Sequence, residues 1–145
     1  MKLVKQLSIF VENKTGRMAD VLSSIAEHGI NINALSIADT TDFGILRLIV
    51  NAPEEAYEFI KERGMAVKLT EVVAVAMDQK PGGLADVMTK LKDTDINIEY
   101  MYAFNGRFHN GAVVILRVND NERLINVAKE KGLTLLDADD AYRAF

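Results

Sequence analysis

Apolar residues recur along the chain with two different periods, one of three to four residues and one of two. The longer period defines one face of a helix near residue 20, because the apolar positions there fall at i, i+3, i+4 and i+7. The shorter period precedes it and is typical of a strand with one buried face. The helical set is Met18, Val21, Leu22 and Ile25, and the strand set is Leu7, Ile9 and Val11.

Further strands are predicted at 30–38, 44–50 and 66–70, the first two joined by a turn at Asp39 to Asp42. A second helix separates the last two strands. Asn51, three residues before Glu54, is predicted to be its N-cap in a capping box. Gly64 is predicted to end this helix after basic residues, because glycine is common just after a helix and positive charges are favourable in its last turn. The apolar face of this helix is formed by Ala56, Phe59 and Ile60.

The pattern of the first half returns in the second half. Residues 12–21 align with residues 78–87 at an offset of 66, and the same offset carries 30–33 onto 96–99. Because the apolar positions repeat along with the identities, one structural module has been duplicated. The repeat predicts strands at 96–103, 112–118 and 133–136, a turn from Asn105 to Gly111, and a helix capped by Asn119 with Glu122. The repeated helix faces are Leu84, Val87, Met88 and Leu91, then Leu124, Val127 and Ala128.

The element order is strand, helix, strand, strand, helix, strand, twice over. This order predicts an α+β protein of two tandem ferredoxin-like βαββαβ modules, residues 1–70 and 71–145. Each module is expected to be a four-stranded antiparallel sheet with two helices on one face. No Gly, Pro or Ser linker separates residues 70 and 72, so we expect rigid coupling. Exposed sheet faces and edges invite pairing, so a homodimer is expected as well.

Composition narrows the function classes. Of 145 residues, 17 are Lys or Arg and 21 are Asp or Glu, giving a net charge of -4, and there is no Cys. An acidic chain is a poor partner for nucleic acid, which requires a basic surface. The absence of Cys removes disulfides, thiolate nucleophiles and zinc–cysteine sites. The first residues do not resemble a signal peptide, and no apolar run is long enough to span a bilayer. We therefore expect a cytoplasmic protein without membrane attachment.

The loop between the first strand and the first helix is the richest candidate for binding chemistry. It covers Glu12 to Arg17 in the first copy and Asp78 to Gly83 in the second. Free amide groups at a helix start favour an anionic group such as the carboxylate of an amino acid. The side-chain carbonyl of Asn13 or Gln79 can accept from an ammonium group. The spacing of these residues is also compatible with a purely structural role, in which the Gly forms a turn and the Asn ends a helix or strand.

These residues resemble the ACT domain family. The first copy reads Glu12-Asn13-Lys14-Thr15-Gly16-Arg17 and then Ile30-Asn31-Ile32, and the second reads Lys80-Pro81-Gly82-Gly83 and then Ile96-Asn97-Ile98. In that family the first loop commonly contains a polar residue and Pro-Gly, and an Asn-Ile pair opens the second strand. The resemblance covers nearly the whole chain, in two copies.

The resemblance implies a non-catalytic regulatory module that binds a free amino acid at interfaces between ACT modules, without a cofactor. By motif position the ligand-binding residues would be Asn13, Gly16, Arg17, Met18, Asn31 and Ile32 in the first copy, and Gln79, Gly82, Gly83, Leu84, Asn97 and Ile98 in the second. The chain departs from the pattern at Thr15, where Pro is usual, and at Gln79, where the first copy has Asn.

No other residues indicate catalysis or a metal site. The side chains of His28 and His109 are predicted to be structural or solvated, and two distant histidines without Cys do not form a zinc site. Asp137, Asp139 and Asp140 are predicted to form a solvated acidic tail. No phosphate-binding Gly-Lys-Ser/Thr loop and no nucleophile elbow is present.

Two alternatives to a stand-alone amino-acid sensor remain at this stage. The chain resembles, in part, the small regulatory subunits of acetolactate synthase, and would then dock to a separate biosynthetic enzyme. Those subunits usually carry a different C-terminal domain, whereas a second module takes that place here. A ferredoxin-like RNA binder would use aromatic side chains on its strands, and Tyr100, Tyr102 and Phe104 offer these, but the basic surface is missing.

Overall fold

The computed structural model describes residues 1–39, 42–105 and 111–143. The predicted hairpin turns lie partly outside these ranges, and His109 lies outside them. The strands are β1 (Val4–Glu12), β2 (Ile32–Asp39), β3 (Phe43–Val50), β4 (Ala66–Met77), β5 (Ile98–Asn105), β6 (Ala112–Val118) and β7 (Leu135–Leu136). The helices are α1 (Arg17–Glu27), α2 (Pro53–Glu62), α3 (Gly83–Leu91), α4 (Asn121–Lys131) and α5 (Ala138–Tyr142).

The chain divides into two compact units. One is Lys5–Thr70, and the other combines Met1–Val4 with the chain from Glu71 onward. In the first, the strand order is β2-β3-β1-β4. In the second, β4 lies between β6 and β7, and β5 flanks β6. Both show the strand–helix–strand–strand–helix–strand order with antiparallel neighbours, which confirms the predicted α+β class and the tandem ferredoxin-like modules.

The core of the first unit lies between one sheet face and its two helices. The alternating residues of β1 supply Leu7 and Ile9, and both side chains are fully buried. The helical spacing on α1 and α2 points Ile25 and Ile60 at the same layer, and both are fully buried as well. The complete cluster is Leu7, Ile9, Val11, Val21, Ile25, Ile30, Leu46, Leu48, Val50, Ala56, Phe59 and Ile60.

The second unit builds its core from the repeated positions. Its buried cluster is Val73, Val75, Val87, Leu91, Val114, Leu116, Val118, Leu124 and Val127. Val75 and Leu116 stand where the first unit has Ile9 and Leu48, so the duplicated pattern produces the same layer of side chains. Leu3, from the start of the chain, packs against this second core.

A row of polar side chains crosses the sheet face that lies away from the helices in the first unit. The amide of Gln6 donates to the hydroxyl oxygen of Ser8 at 3.0 Å, and the hydroxyl oxygens of Ser8 and Thr70 lie 3.2 Å apart. All three residues are buried. Because buried polar groups are costly unless they are hydrogen-bonded, this chain of contacts fixes which residues of β1 and β4 stand side by side.

Two asparagine pairs close the open ends of the hairpins. The N–H of Asn31 donates to Oδ1 of Asn51 at 3.0 Å, and the N–H of Asn51 donates to the carbonyl of Asn31 at 3.3 Å. Asn97 and Asn119 repeat both bonds at 2.7 and 3.2 Å. These side-chain bonds replace the strand ladder, so β2 and β5 each begin two residues later than predicted.

The same bonds explain why the predicted helix caps are wrong. Asn51 and Asn119 use their side-chain oxygens on the strands and are not the N-caps. The N-cap of α2 is Ala52, which provides no side-chain bond, and that of α4 is Asp120, which accepts from the N–H of Arg123 at 3.1 Å. In both copies, a sequence pattern typical of a capping box thus provides an asparagine that bonds the two strands of a hairpin instead of capping a helix.

Residues Ala138–Tyr142 form a short helix in place of the predicted acidic tail. Asp137 is the N-cap of α5 and accepts from the N–H of Asp139 at 3.4 Å. It also accepts from the N–H of Lys2 at 2.7 Å, and the N–H of Ala138 donates to the carbonyl of Lys2 at 2.9 Å. The bond from Lys2 is the main reason why the pKa of Asp137 is lowered from its usual value.

Within the described residues, no helix is both long and apolar enough to cross a bilayer.

Replacing Asn119 with Ala is expected to remove the acceptor for the N–H of Asn97 and to cost about 1 kcal/mol of folding stability. Amide hydrogen exchange should then accelerate at Asn97 and stay unchanged at Arg123, which Asp120 caps. Asn119→Asp keeps the acceptor and should preserve the protection. Faster exchange at Arg123 together with unchanged exchange at Asn97 would restore the capping interpretation.

Candidate functional site

The loop after β1 in the first unit is a tight turn that leads directly into a helix. The N–H of Asn13 donates to the carbonyl of Asp42 at 2.9 Å, which extends the pairing beyond the last residue of β1. The N–H of Lys14 then donates to the carbonyl of Glu12 at 2.8 Å. Gly16, with φ 84°, takes the left-handed conformation that glycine favours and is the N-cap of α1.

The start of α1 offers hydrogen-bond donors. Gly16 provides no capping side chain, and the N–H of Arg17 is used by the carbonyl of Lys14 at 3.2 Å. The N–H groups of Met18 and Ala19 have no acceptor among the described residues, because the first turn of a helix has no intrahelical partner for them. They carry the positive end of the helix dipole, which favours an anion.

The other helix starts differ. α4 and α5 are capped by the side chains of Asp120 and Asp137. α2 has no capping side chain, but its first residue is Pro53, which has no N–H to satisfy. Only α3, which follows the repeated glycine loop, matches α1 in this respect among the described helices, since its N-cap Gly82 also lacks a side-chain bond.

A cavity of about 80 Å³ opens beside this loop, and we refer to it as the Asn13 cavity. It lies between the end of β1, the first turn of α1 and the end of β2. Its lining residues carry an amide, an ammonium group, two carboxylates and apolar side chains. The lining residues are Val11, Glu12, Asn13, Lys14, Met18, Ile37, Asp39 and Gly44.

The cavity exists because a glycine lies at the centre of a three-strand row. β3 pairs with both β1 and β2, so Gly44 stands opposite Val11 on one side and opposite Asp39 on the other. A Cβ atom at Gly44 would lie 3.8 Å from Oδ1 of Asp39 and 3.9 Å from Cγ2 of Ile37. The missing side chain therefore leaves space above β3 that the neighbours on β2 border.

An ion pair fixes the charge at the rim of the cavity. Nζ of Lys14 lies 2.9 Å from Oε2 of Glu12. The hydrogen bond from Lys14 and its positive charge lower the pKa of Glu12 below its usual value, and the charge of Arg17 lowers it further. Because Glu12 is already paired with Lys14, Asp39 is the carboxylate of the cavity for which the structure shows no ion-pair partner among the described residues.

The second unit repeats the loop with a closer fit. Gly82 has φ 88° and is the N-cap of α3. At Gly83 a Cβ atom would lie only 1.9 Å from the carbonyl oxygen of Asp78, so the loop backbone passes directly over this residue. The equivalent of the Gly44 row also differs, because Ala112 stands opposite Asn105. The second unit thus has a methyl group and an amide where the first has space and a carboxylate.

Within one unit the structure does not bring all the predicted ligand residues together. Asn13, Gly16, Arg17 and Met18 share one loop, as do Gln79, Gly82, Gly83 and Leu84. Asn31 and Ile32 lie at the other end of the same sheet.

Strand register shows how far apart they are. Glu12 pairs with Phe43, whereas Ile32 pairs with Val50, seven residues further along β3. At about 3.3 Å per residue this places the two ends roughly 23 Å apart, too far for one amino acid to span. Ile98, paired with Val118, and Asn97 are equally remote from the second loop.

The side chain of Asn31 is also engaged, since its amide donates to Oδ1 of Asn33 at 2.8 Å. Its backbone is held by Asn51, as described above. The structural interpretation of this asparagine therefore has direct support, and a ligand contact would have to use its remaining carbonyl oxygen.

Three residues of the cavity were missed by sequence reasoning: Ile37, Asp39 and Gly44. Asp39 was assigned to a turn, and Gly44 was counted as an ordinary strand residue. The hairpin register carries the signal that could have found them, because residues paired across β2 and β3 share a sheet face with the end of β1. Among the described residues, no cluster of three or more His, Cys, Asp or Glu is arranged to hold a metal ion.

The fold and the repeated loops define a pair of ferredoxin-like modules. A sequence model of the ACT domain pair matches residues 2–144. The chain therefore belongs to the ACT domain pair family, which confirms the resemblance of its two loops. No curated protein sequence matches it.

Solved structures agree with this assignment. Protein BT0572 from Bacteroides thetaiotaomicron is 44% identical, with a TM-score of 0.89 over 97% of this chain and 96% of that one. The ligand-free regulatory subunit of aspartate kinase from Thermus thermophilus is 19% identical, with a TM-score of 0.60 over 89% and 93%. The corresponding subunit from Thermus flavus is 16% identical, with a TM-score of 0.57 over 90% and 94%. The two Thermus proteins share the fold.

Gly83→Ala is expected to destabilise the protein, because the new methyl group would collide with the backbone of Asp78. Overpacking of this kind costs about 1–3 kcal/mol or more, which lowers the melting temperature by several degrees. Arg17→Ala, at the equivalent and exposed position of the first unit, is the matched control and should melt like the wild type. Equal melting temperatures for the two variants would contradict the tight loop.

Proposed function

We propose that this protein is a non-catalytic regulator that binds a free amino acid in the Asn13 cavity of its first unit. The observation that carries the proposal is that one small cavity is lined by Met18 in the uncapped first turn of α1, by Asn13, and by Asp39, which has no ion-pair partner among the described residues. An amino acid carries the complementary groups on one carbon atom. The ligand would bias the protein between states of different affinity for a partner.

The cavity can distinguish the two ends of a zwitterion. The carboxylate of the ligand would accept from the N–H groups of Met18 and Ala19 at the positive end of α1. The ammonium group would donate to Asp39 and to the side-chain oxygen of Asn13. The side chain of the ligand would then lie against Ile37. A volume of about 80 Å³ encloses only the polar head, so another surface must cover the rest.

The first unit is the better candidate of the two. Its carboxylate at Asp39 is an amide at Asn105 in the second unit, and the space over Gly44 is occupied by the methyl group of Ala112. An amide accepts from an ammonium group more weakly than a carboxylate does. The second loop, with Gln79, Gly82, Gly83 and Leu84, is therefore proposed as the weaker site.

A second copy of the chain is the surface that we propose to cover the ligand. β2 is the edge strand of the first unit, and Leu35 and Ile37 on it are 51% and 50% exposed. Antiparallel pairing of β2 with β2 of a twofold-related copy would place one copy's Asn31 beside the other copy's Asp39. This arrangement would reunite the two predicted motifs that a single sheet holds apart.

Docking to a separate biosynthetic enzyme is the alternative function. The chain matches 93% of the length of a protein described as a regulatory subunit of aspartate kinase, so a whole regulatory subunit can have this architecture. Co-purification of an amino-acid biosynthetic enzyme with the tagged chain would favour it, and an amino-acid response of the isolated chain would favour the sensor.

The proposal predicts that at least one of the twenty amino acids raises the melting temperature of the isolated protein. At a ligand concentration a hundredfold above Kd, the stabilisation is about 2.7 kcal/mol, which corresponds to several degrees. Asp39→Asn, Asn13→Ala and Gly44→Ala should each reduce this response, the last by filling the cavity without a clash. Asn105→Ala, at the position equivalent to Asp39, is the control. A complete screen without any response would reject the proposal.

The proposed dimer is tested by sedimentation. The wild type should sediment at twice the mass of its 16.1 kDa chain, and Leu35→Glu with Ile37→Glu should shift it to the monomer, because charges would be buried at the strand edge. Met101→Glu, the repeat equivalent on β5, is the control. A monomeric wild type would exclude the arrangement, as would a double variant that dimerises with unchanged affinity.

A further inference from the structure

A second cavity lies on the other flank of the β1–α1 loop. It is bounded by the end of β1, the first turn of α1 and the turn at residues 63–66 between α2 and β4, and its volume is about 380 Å³. We call it the arginine cavity. Since β1 lies between β3 and β4 in the sheet, the Asn13 cavity lies over β3 and the arginine cavity lies over β4. Its volume falls within the range of small-molecule sites.

Two arginines, Arg17 and Arg63, are among the residues that line this cavity, together with the acidic Glu12. The side chain of Arg17 has no hydrogen-bond or ion-pair partner in the part of the chain that is described. Its acidic neighbour Glu12 is held by Lys14 at 2.9 Å. Glu12 is therefore held mainly by Lys14, and the charge of Arg17 makes only a smaller contribution to lowering the pKa of Glu12.

Residues of α1 hold the side chain of Arg63 but do not use all of its hydrogen-bond donors. Its Nη1 donates to the hydroxyl of Ser24, and its Nη2 forms an ion pair with Oε2 of Glu27 at 3.8 Å, which is longer than a hydrogen bond. A guanidinium has five N–H donors in a rigid fork, so most of them remain after the bond to Ser24. The contact with Ser24 fixes the side chain and so lowers the entropy lost when a ligand binds.

The duplicated unit provides an internal comparison. A cavity of about 120 Å³ lies at the same place, between Met77, α3 and the turn at Gly132. There Gly83 replaces Arg17, and the charged lining consists of Asp78, Asp86 and Lys90. Both units thus have a cavity at this place in the fold, but only the cavity of the first unit is lined by two arginines. Folding alone does not require those arginines, because the second unit forms the same corner without them.

We infer that the arginine cavity binds a small oxyanion, a carboxylate or phosphate group, between Arg17 and Arg63. The planar fork of arginine matches the paired oxygens of both groups, and the two oxyanions share this recognition chemistry. The site is separate from the Asn13 cavity and goes beyond the amino-acid function. A ligand in it would contact α1 and the end of β1, the same two elements that border the Asn13 cavity.

The inference is tested by titrating the ¹⁵N-labelled wild-type protein with sodium phosphate and, separately, with sodium succinate at constant ionic strength. Saturable shift changes are expected at residues 11–21 and 63–66. Arg63→Gln and Arg17→Gln should each weaken binding about tenfold or more, the change that one charge-assisted hydrogen bond produces. Lys131→Gln, which removes the same charge at the equivalent helix end of the second unit, is the matched control.

The outcomes separate the ligand classes. Binding of phosphate alone supports a phosphorylated ligand, and binding of succinate alone supports a carboxylate. The inference is overturned if neither anion saturates, or if neither arginine variant weakens binding. Arg17→Gln changes an exposed residue, so it decides the question even if Arg63→Gln fails to fold.

A second measurement tests that the two sites are separate. The melting response to the amino acid should be the same in Arg63→Gln as in the wild type. Its loss in this variant, with the fold retained, would show that the two cavities form one site. If the wild type has no amino-acid response, the proposed function fails while the anion titration still stands on its own.

Discussion

The candidate site depends on one constraint, the antiparallel pairing of β3 with β1 on one side and β2 on the other. This pairing places Val11, Gly44 and Asp39 in a single row across the sheet. The turn that ends β1 and the carboxylate that ends β2 therefore border the same space, and a residue without a side chain keeps that space open. Gly16, in the left-handed conformation, is the N-cap of α1, and Met18 in the first turn of this helix lines the same space.

The two units have equivalent apolar cores, but the residues that line their cavities differ. Both units need the same apolar layer between sheet and helices, because burial of that layer stabilises so small a module. The cavities are not under this constraint, and they differ: Gly44 and Asp39 in the first unit correspond to Ala112 and Asn105 in the second. Two copies of one fold can thus have equivalent cores and still differ in the chemistry of their cavities.

The two ends of each sheet are stabilised in different ways. At one end, reciprocal bonds between Asn31 and Asn51, repeated by Asn97 and Asn119, hold the strands together. At the other end, short glycine loops leave helix N–H groups without acceptors. A loop on a rigid frame can change its conformation at little cost to the core.

The sequence alone determined the duplication, the element order and the position of both glycine loops, because these depend on local periodicity and on conformations that few residues other than glycine adopt. It misassigned Asn51 and Asn119, since capping and hairpin closure use the same side-chain oxygen and only the tertiary structure shows which N–H group lies within reach. Strand register decided the rest: it separated Asn31 from Asn13 and brought Asp39 and Gly44 to the loop. Such pairings join residues distant in sequence, and no local pattern contains them.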